Sequence, residues 1–244
     1  MKRFAADLHI HTALSPCASE EMTPPAIVRT AWDQGIAMIA ICDHNSAGNV
    51  SAVQEAAAES VTVLAGIEIT TAEEVHVVGL FPSAGAAGSA SDGILASLPK
   101  SKGPYCDPEE QLCMDAQGRV VNVETKMLSA ATALTLSDTV EHIRKHSGIA
   151  IAAHVDRPSF SVMSQLGLLP GDAGFDAIEV SAAAVRSSRV SEFDSFGLPV
   201  VTGSDAHFLS DIGKCCTVCE MFEPSFGELA LALKGIDGRW CCCA

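Results

Sequence analysis

Short apolar runs recur along the chain, and polar segments separate them. The runs have the length and the β-branched content of buried strands. They predict strands at Phe4–Ile10, Ile36–Cys42, Val61–Ile69, Val75–Phe81, Ile149–Ala153, Asp176–Val180, Leu198–Gly203 and Thr217–Phe222. Stretches between several of these runs predict helices, at Pro24–Gln34, Ser51–Glu59, Ser137–His146 and Phe226–Leu233.

The alternation of strands and helices predicts an α/β fold, either a parallel barrel or a doubly wound sheet. The 244 residues suffice for one well-packed domain, and a single α/β barrel would use all of them. We therefore expect one domain over residues 1–244. The stretch from Ser83 to Gly118 is rich in Gly, Ala, Ser and Pro, so we expect an irregular excursion there, either a lid or a flexible loop.

Composition and charge indicate the cellular compartment and the kinds of partner that the protein can bind. No apolar run reaches the ~20 residues that a membrane span requires. The sequence Met1-Lys2-Arg3-Phe4 runs straight into motif residues, which leaves no room for a removable signal peptide, so we expect a cytoplasmic protein. The ten cysteines are then expected to be reduced thiols, and Cys241-Cys242-Cys243 to be disordered. The formal net charge of −15 predicts repulsion of long nucleic acids.

Histidines and acids concentrate where the predicted strands end. Asp7-Leu8-His9-Ile10-His11 closes the first strand, and side chains two apart on a strand share a face, so His9 and His11 can converge on one ion. The later strands end on further candidates, namely Asp43, His44, Glu68, His154, Asp205 and His207. The carboxyl ends of strands form the site in barrels and open α/β sheets, so we expect these side chains to meet at one rim.

His76 comes early in its strand and needs a separate argument. The segments Val61–Ile69 and Val75–Phe81 are only a few residues apart, which is too short for a parallel crossover but long enough for a hairpin. With the turn centred near Ala72, Glu68 and His76 would lie opposite each other on one face. A carboxylate and an imidazole would then form a ready pair of ligands.

The donor atoms of these side chains indicate the kind of ion. Imidazole and carboxylate groups together favour divalent ions such as Zn²⁺, Mn²⁺ or Fe²⁺. The candidates outnumber the ligands of one catalytic zinc, so two or three ions are expected, with Glu68 able to bridge two of them. A hydroxide between the ions would attack a phosphoryl group at neutral pH. The alternative, ordinary rim histidines, requires six of them to lie at strand ends by accident.

The motifs together resemble the PHP (polymerase and histidinol phosphatase) family over nearly the whole chain. The resemblance rests on Asp7-Leu8-His9-Ile10-His11, Cys42-Asp43-His44, Gly66-x-Glu68, His76-Val77-Val78-Gly79, Ala153-His154 and Ser204-Asp205-Ala206-His207. It implies a distorted (β/α)7 TIM-like barrel with a metal centre at the C-terminal rim of the strands. Phosphoester hydrolysis is the activity that it implies.

The resemblance also implies the metal ligands. One ion would be held by four residues, His9, His11, Glu68 and Asp205. A second would be held by Glu68, His76 and His154, and a third by His44, His207 and the residue at position 17. The residues that it implies for catalysis are Glu68, Asp205, His207 and Asp43, the last of these beside a ligand rather than a ligand itself.

Two positions each have alternative roles. Cys17 stands where the family usually has His or Asp, so its thiolate could bind zinc or iron, the third site could be weak or empty, or the thiol could face away. Arg157 lies three residues after His154, where the phosphatase-like branch of the family places a basic residue that contacts substrate phosphate. Arginine suits bidentate phosphate recognition, although a salt bridge to Asp156 or a nearby acid is the alternative.

Two functions follow as hypotheses. The first is an enzyme that hydrolyses a small phosphorylated substrate, either a phosphomonoester or a nucleotide bisphosphate. The second is a non-catalytic, metal-binding or regulatory PHP module. The complete set of strand-end candidates favours the enzyme, and the acidic charge balance disfavours a nuclease acting on long DNA.

Overall fold

A computed structural model of the chain describes residues 1–99 and 110–244. Its strands, in chain order, are β1 (Lys2–Ile10), β2 (Met38–Ile41), β3 (Thr62–Thr70), β4 (His76–Phe81), β5 (Leu112–Met114), β6 (Val120–Val123), β7 (Ile149–Ala152), β8 (Ala177–Val180), β9 (Val200–Thr202), β10 (Thr217–Met221) and β11 (Trp240–Cys243). The α-helices are α1 (Pro24–Asp33), α2 (Val50–Ala57), α3 (Ala84–Ser97), α4 (Leu136–Lys145), α5 (Val162–Leu166), α6 (Ala182–Arg186) and α7 (Phe226–Leu233). Short 3-10 helices occur at Val190–Phe196, Leu209–Asp211 and Ile236–Gly238.

Nine strands form one sheet in the order β11-β10-β1-β2-β3-β4-β7-β8-β9. Strands β1, β2 and β3 are parallel, β4 is antiparallel to both of its neighbours, and β7, β8 and β9 are parallel. At the open side, Thr202 N of β9 donates a hydrogen bond to Thr217 Oγ1 of β10 at 2.8 Å. The sheet therefore nearly closes on itself, and the barrel prediction is confirmed over the doubly wound alternative.

The barrel has an apolar interior and an apolar outer layer. The interior is filled by side chains such as Leu8, Met38, Leu64, Val78 and Ile151. The outer layer packs strands against helices and includes Ile10, Ile27, Val53, Ala87 and Ile143. The pairing of β1 with β2 shifts in register between Asp7 and Ile10. This irregularity explains why Leu8 belongs to the interior and Ile10, two residues later, to the outer layer.

The four predicted helices are present within one or two residues of the expected ends. At α1 the prolines occupy the first helical positions, where their missing N–H groups cost nothing. At α4 Thr135 and Asp138 form a reciprocal capping box, and Arg144 and Lys145 lie in the last turn. Within residues 1–99 and 110–244, no helix combines the length and the apolar character that a membrane span needs.

The expected irregular excursion at Ser83–Gly118 is wrong for most of its described part. Residues 84–97 form α3, whose first turn is capped by the Ser83 hydroxyl, which accepts a hydrogen bond from Ala86 N at 3.1 Å. The helix buries Ala87, Ala90 and Ile94 against the sheet, and this packing outweighs its poor helix propensity. Residues 112–114 form β5, which pairs with β6, and residues 100–109 lie outside the described part.

The cysteine expectations are also corrected. The last cysteines are ordered in β11, which pairs antiparallel with β10 and places Cys241 directly opposite Cys219. These two residues form a disulfide, so the expectation that all the cysteines are reduced thiols is wrong for this pair. Hydrogen bonding to β10 supplies the order that sequence position alone did not indicate.

Candidate metal centre

The predicted site residues meet at the carboxyl ends of the parallel strands. Nε2 of His9 lies 3.2 Å from Nε2 of His11, as their i, i+2 spacing on β1 predicted. The ring of His11 lies 4.2 Å from that of His207, and the ring of His44 lies 5.3 Å from that of His76, measured between centroids. The rings form one cluster, which is buried except at its His207 edge.

Glu68 lies at the centre of this cluster. Its Oε1 accepts a hydrogen bond from His76 Nδ1 at 2.8 Å and contacts His154 Nε2 at 3.1 Å. Its Oε2 lies 3.0 Å from His44 Nδ1 and 3.4 Å from His11 Nε2. Burial alone would raise the pKa of Glu68, but the imidazoles hold it well below its usual range. Both oxygens of an ionised carboxylate therefore face sets of potential ligands.

The β3–β4 hairpin brings Glu68 and His76 together in a register that differs from the expected one. Thr70 pairs with His76 and Glu68 pairs with Val78, so the turn is centred near Glu73 rather than Ala72. Glu68 and His76 are consequently diagonal neighbours on one face instead of direct partners. Diagonal side chains on a sheet remain within reach of each other, which explains why the contact forms nonetheless.

Three overlapping groups of donor atoms in the described residues are each compact enough to hold one ion. They are His9, His11, Glu68 and Asp205; His44, Glu68 and His76; and His11, His44 and His207. Within each group the donor atoms lie within 4.8 Å of one another. Glu68 belongs to two of the groups.

Three buried atoms in this cluster lack a hydrogen bond among the described residues, namely His44 Nδ1, Glu68 Oε2 and His154 Nδ1. The first two lie 3.0 Å apart without the geometry of a hydrogen bond. Unpaired buried polar atoms are rare in folded proteins and point to a missing partner such as an ion. The unpaired atoms and the N/O donor set together fit divalent cations.

Cys17 lies at the His207 edge of the cluster. Its sulfur is 3.1 Å from His207 Nε2. Burial raises the pKa of the thiol, but hydrogen bonds with His207 and His44 lower it to about 7 overall. The thiol thus faces the two residues with which the family resemblance grouped it.

Arg157 reaches the rim and contacts a predicted ligand. Its guanidinium lies 2.5 Å from Asp205 Oδ2, and 39% of its side chain is exposed. Asp156 instead accepts hydrogen bonds from Ser181, from N at 2.7 Å and from Oγ at 2.6 Å. The salt bridge considered for Arg157 is therefore made with Asp205 rather than with its neighbour in sequence.

Asp43 faces away from the imidazole cluster, into a buried network. It accepts hydrogen bonds from Thr12 N at 2.7 Å, from Thr12 Oγ1 at 2.8 Å and from Ser15 Oγ at 2.7 Å. Ser15 Oγ also lies 2.9 Å from His11 Nδ1. Asp43 therefore acts on the cluster through Ser15, which orients His11.

Sequence analysis missed the residue that orients His9. The carboxylate of Glu179 on β8 is buried and accepts from His9 Nδ1, at 3.1 Å from Oε1 and 3.0 Å from Oε2. It also accepts from His154 N at 3.2 Å. The available signal was an acid within the otherwise apolar run Ala177–Val180, since buried carboxylates require partners.

Asp7 opens the first motif, Asp7-Leu8-His9-Ile10-His11, but the sequence predicted no function for its side chain. It is fully buried and accepts hydrogen bonds from Ser204 N at 2.8 Å and from Gly213 N at 2.9 Å. Gly203 permits the close approach, because a Cβ there would lie 2.7 Å from His9 Cβ. These contacts fix the loop that carries Asp205 and His207 against β1.

Two candidate ligands have unusual backbone conformations. His154 has φ of 30° and Asp205 has φ of 50°, both in the region that favours glycine. The hydrogen bond from His154 N to Glu179 and the ion pair of Asp205 with Arg157 hold the two residues there. Backbone strain of this kind clusters at functional sites, where the surrounding structure maintains it.

The chain is similar to known proteins in sequence and in fold. The uncharacterized protein YqxK of Bacillus subtilis is 26% identical over 274 residues, which covers 98% of this chain and 64% of that protein. A 5′-3′ exoribonuclease of Haemophilus influenzae is 33% identical over 78 residues, which covers 30% of this chain and 27% of that protein. The crystal structure of the lesion-specific endonuclease PfuEndoQ from Pyrococcus furiosus matches with a TM-score of 0.76 at 20% identity, covering 98% of this chain and 58% of that chain.

The chain thus spans less than two thirds of the length of each of these proteins. The likeness to PfuEndoQ, at this identity, shows the fold. Family models match in two places, the PHP domain over residues 7–118 and the PHP-associated region over residues 191–235. The first contains the β1–β4 part of the centre and the second contains Asp205 and His207. With these matches and the barrel that carries the centre, the chain belongs to the PHP domain family.

Proposed function

We propose that the chain is a metal-dependent hydrolase that cleaves a phosphoester bond in a small phosphorylated substrate, a phosphomonoester or a nucleotide bisphosphate. The observation that carries the proposal is the buried Glu68 carboxylate with imidazoles against both of its oxygens. The unpaired buried atoms of this cluster, such as Glu68 Oε2 and His44 Nδ1, cost stability unless cations bind them. A regulatory module that binds metal without catalysis is the alternative.

The described residues suit two or three ions, of zinc, manganese or iron. One ion would be held by His9, His11, Glu68 and Asp205. A second would be held by Glu68 and His76 with His154 or His44, and a third by His44 and His207 with Cys17. When bound, divalent ions supply Lewis acidity toward phosphoryl oxygens and make water a nucleophile at neutral pH.

The side chains at the rim divide the remaining tasks. Arg157 is half-exposed, and its guanidinium can exchange the Asp205 carboxylate for two oxygens of a substrate phosphate. His207 lies at the open edge of the cluster, with 21% of its side chain exposed. Burial lowers the pKa of His207, but contacts with Cys17 and Asp205 raise it overall, which favours the protonated imidazole. If only two ions bind and the third site stays empty, His207 is not a ligand and can give its proton to a leaving oxygen.

The substrate is proposed to be small because of charge. At −15, the chain lacks the excess of cations that binding to long nucleic acids requires. Cleavage of polynucleotides is a second candidate function, favoured by the 33% identity with the exoribonuclease over 78 residues. The two candidate functions predict opposite effects of substrate length on the rate of cleavage.

A substrate panel tests the proposal. Phosphate release is measured for histidinol phosphate, nucleoside 3′,5′-bisphosphates and other phosphomonoesters, and chain cleavage for short oligonucleotides, with Mn²⁺ and Zn²⁺ added separately. We expect turnover of at least one small phosphoester that chelator abolishes and added metal restores. Metal-loaded protein that cleaves oligonucleotides alone would support the second candidate. Metal-loaded protein that cleaves nothing in the panel would support the regulatory module.

A further inference from the structure

An exposed aromatic ring lies directly against the candidate metal centre. The ring of Phe160 stacks on the imidazole of His76, with centroids 4.7 Å apart and planes inclined by 22°. Phe160 is 42% exposed, whereas His76 is buried. We propose that Phe160 is a stacking platform for a nucleobase, and that the phosphoester cleaved here is that of a nucleotide. This inference rests on the function proposed above.

The loop between β7 and α5 is built to hold this ring in place. It carries His154, Arg157 and Phe160 in succession, which are a candidate ligand, a candidate phosphate-binding residue and the aromatic ring. Ser161 Oγ donates to Arg157 O at 2.7 Å, and His76 N donates to Phe160 O at 2.8 Å. These hydrogen bonds hold the loop backbone at Phe160, and the stack on His76 places the ring beside the centre.

The backbone of Phe160 argues against an incidental exposed side chain. Single exposed apolar residues are normal on protein surfaces, so exposure by itself indicates nothing. Phe160, however, has φ of 56°, a conformation that is a clear outlier for a bulky side chain. The fold maintains this strain and leaves the ring partly in water, a combination typical of functional positions.

An exposed benzyl ring suits a nucleobase as its ligand. Nucleobases stack on aromatic side chains, and the contact tolerates any base because every base has a π-face. A neutral base is also indifferent to the acidic charge of the chain. Arg157, three residues earlier on the same loop, would meet the phosphate of the same molecule.

A purely structural role is the competing explanation, since Phe160 also covers His76. Leucine in place of phenylalanine keeps an apolar cover but removes the π-face, and tyrosine keeps the π-face. The informative substrate pair is AMP and ribose 5-phosphate, which share the phosphoester and differ by the base. Phe222 is the matched control, because it is 62% exposed and contacts Arg239 rather than the centre.

We expect Phe160→Leu to lower kcat/KM for AMP by about tenfold, mainly through KM, as loss of one base stack does. Hydrolysis of ribose 5-phosphate should change by no more than about twofold, since that substrate has no base to stack. Phe160→Tyr should keep the preference for AMP, and Phe222→Leu should leave both reactions unchanged. An equal loss for both substrates in Phe160→Leu would overturn the inference and leave Phe160 as a cover for His76.

Binding separates this inference from the function on which it rests. Non-hydrolysable methylene phosphonate analogues of AMP and of ribose 5-phosphate are titrated calorimetrically into the metal-loaded protein. In the wild type the AMP analogue should bind more tightly than the ribose 5-phosphate analogue, and in Phe160→Leu the two analogues should bind equally. If that binding result is obtained with a protein that hydrolyses nothing, the proposed hydrolase function is refuted and the stacking role of Phe160 is kept. Equal affinities for both analogues in the wild type would refute the platform, whether or not hydrolysis occurs.

Discussion

Replacing Glu179 by glutamine tests whether the residue beneath the centre orients a ligand. Glu179 is 2% exposed, and its two oxygens lie 3.1 and 3.0 Å from His9 Nδ1. This contact holds Nδ1 protonated and turns Nε2 toward Glu68 and Asp205, each 3.5 Å away. Glutamine keeps the volume and can still accept one hydrogen bond, but it removes the charge. Loss of such a partner typically lowers metal affinity by about 10- to 100-fold, or ~1.4–2.7 kcal/mol.

The assay is competition for Zn²⁺ against a chromophoric chelator, with thermal unfolding of the metal-free protein measured in parallel. Glu220→Gln is the control, because Glu220 also lies on a strand but pairs with Arg3, away from the centre. We expect weaker metal binding in Glu179→Gln alone, with little change in the unfolding midpoint of the stripped protein. Unchanged affinity together with a large loss of stability would refute the orienting role and leave Glu179 as a structural residue.

Three further predictions concern other parts of the molecule. Cys17 should be alkylated faster after metal is stripped, and equal reactivity with and without metal would show that it is not a ligand. In the stripped protein the alkylation rate should fall as the pH drops below 7, because the Cys17 thiol, with its lowered pKa of about 7, is mostly thiolate only above that pH. Arg157→Ala should raise KM for phosphoesters by about tenfold or more, since a charge-assisted contact is lost; an unchanged KM would mean that it only pairs with Asp205. Reductant should lower the unfolding midpoint of the wild type but not of Cys219→Ser. The Cys219–Cys241 disulfide links residues 22 apart in sequence, and a loop of this length stabilises the fold by about 3 kcal/mol. Equal responses of the two proteins would contradict the disulfide.

The positions of the histidines could be predicted because they depend on local rules. The spacing of His9 and His11 follows from the two-residue period of a strand, and the rim location follows from where parallel strands end. The Glu68–His76 contact survived an error in the turn, because a shift of one in the hairpin centre moves a direct partner to a diagonal neighbour on the same face.

The missed features depend on contacts between distant parts of the chain. Glu179 is 170 residues from His9 in sequence, and nothing near it indicates which nitrogen it would accept from. Helix α3 contains three glycines and three serines, which disfavour helices, and it forms because Ala87 and Ile94 are buried against the sheet. Strand β11 and the Cys219–Cys241 pair likewise exist only through the pairing with β10.

The central claim is a centre of several ions built on Glu68, and counting ions tests it most directly. Elemental analysis is made on protein purified without chelator, and on protein reconstituted with Mn²⁺ or Zn²⁺ and then dialysed. The account predicts about two or more divalent ions per chain in the wild type, as a bridged centre requires, and the loss of about one of them in Glu68→Gln. Fewer than about one tightly bound ion per chain under both conditions would contradict it, because one ion leaves Glu68 nothing to bridge.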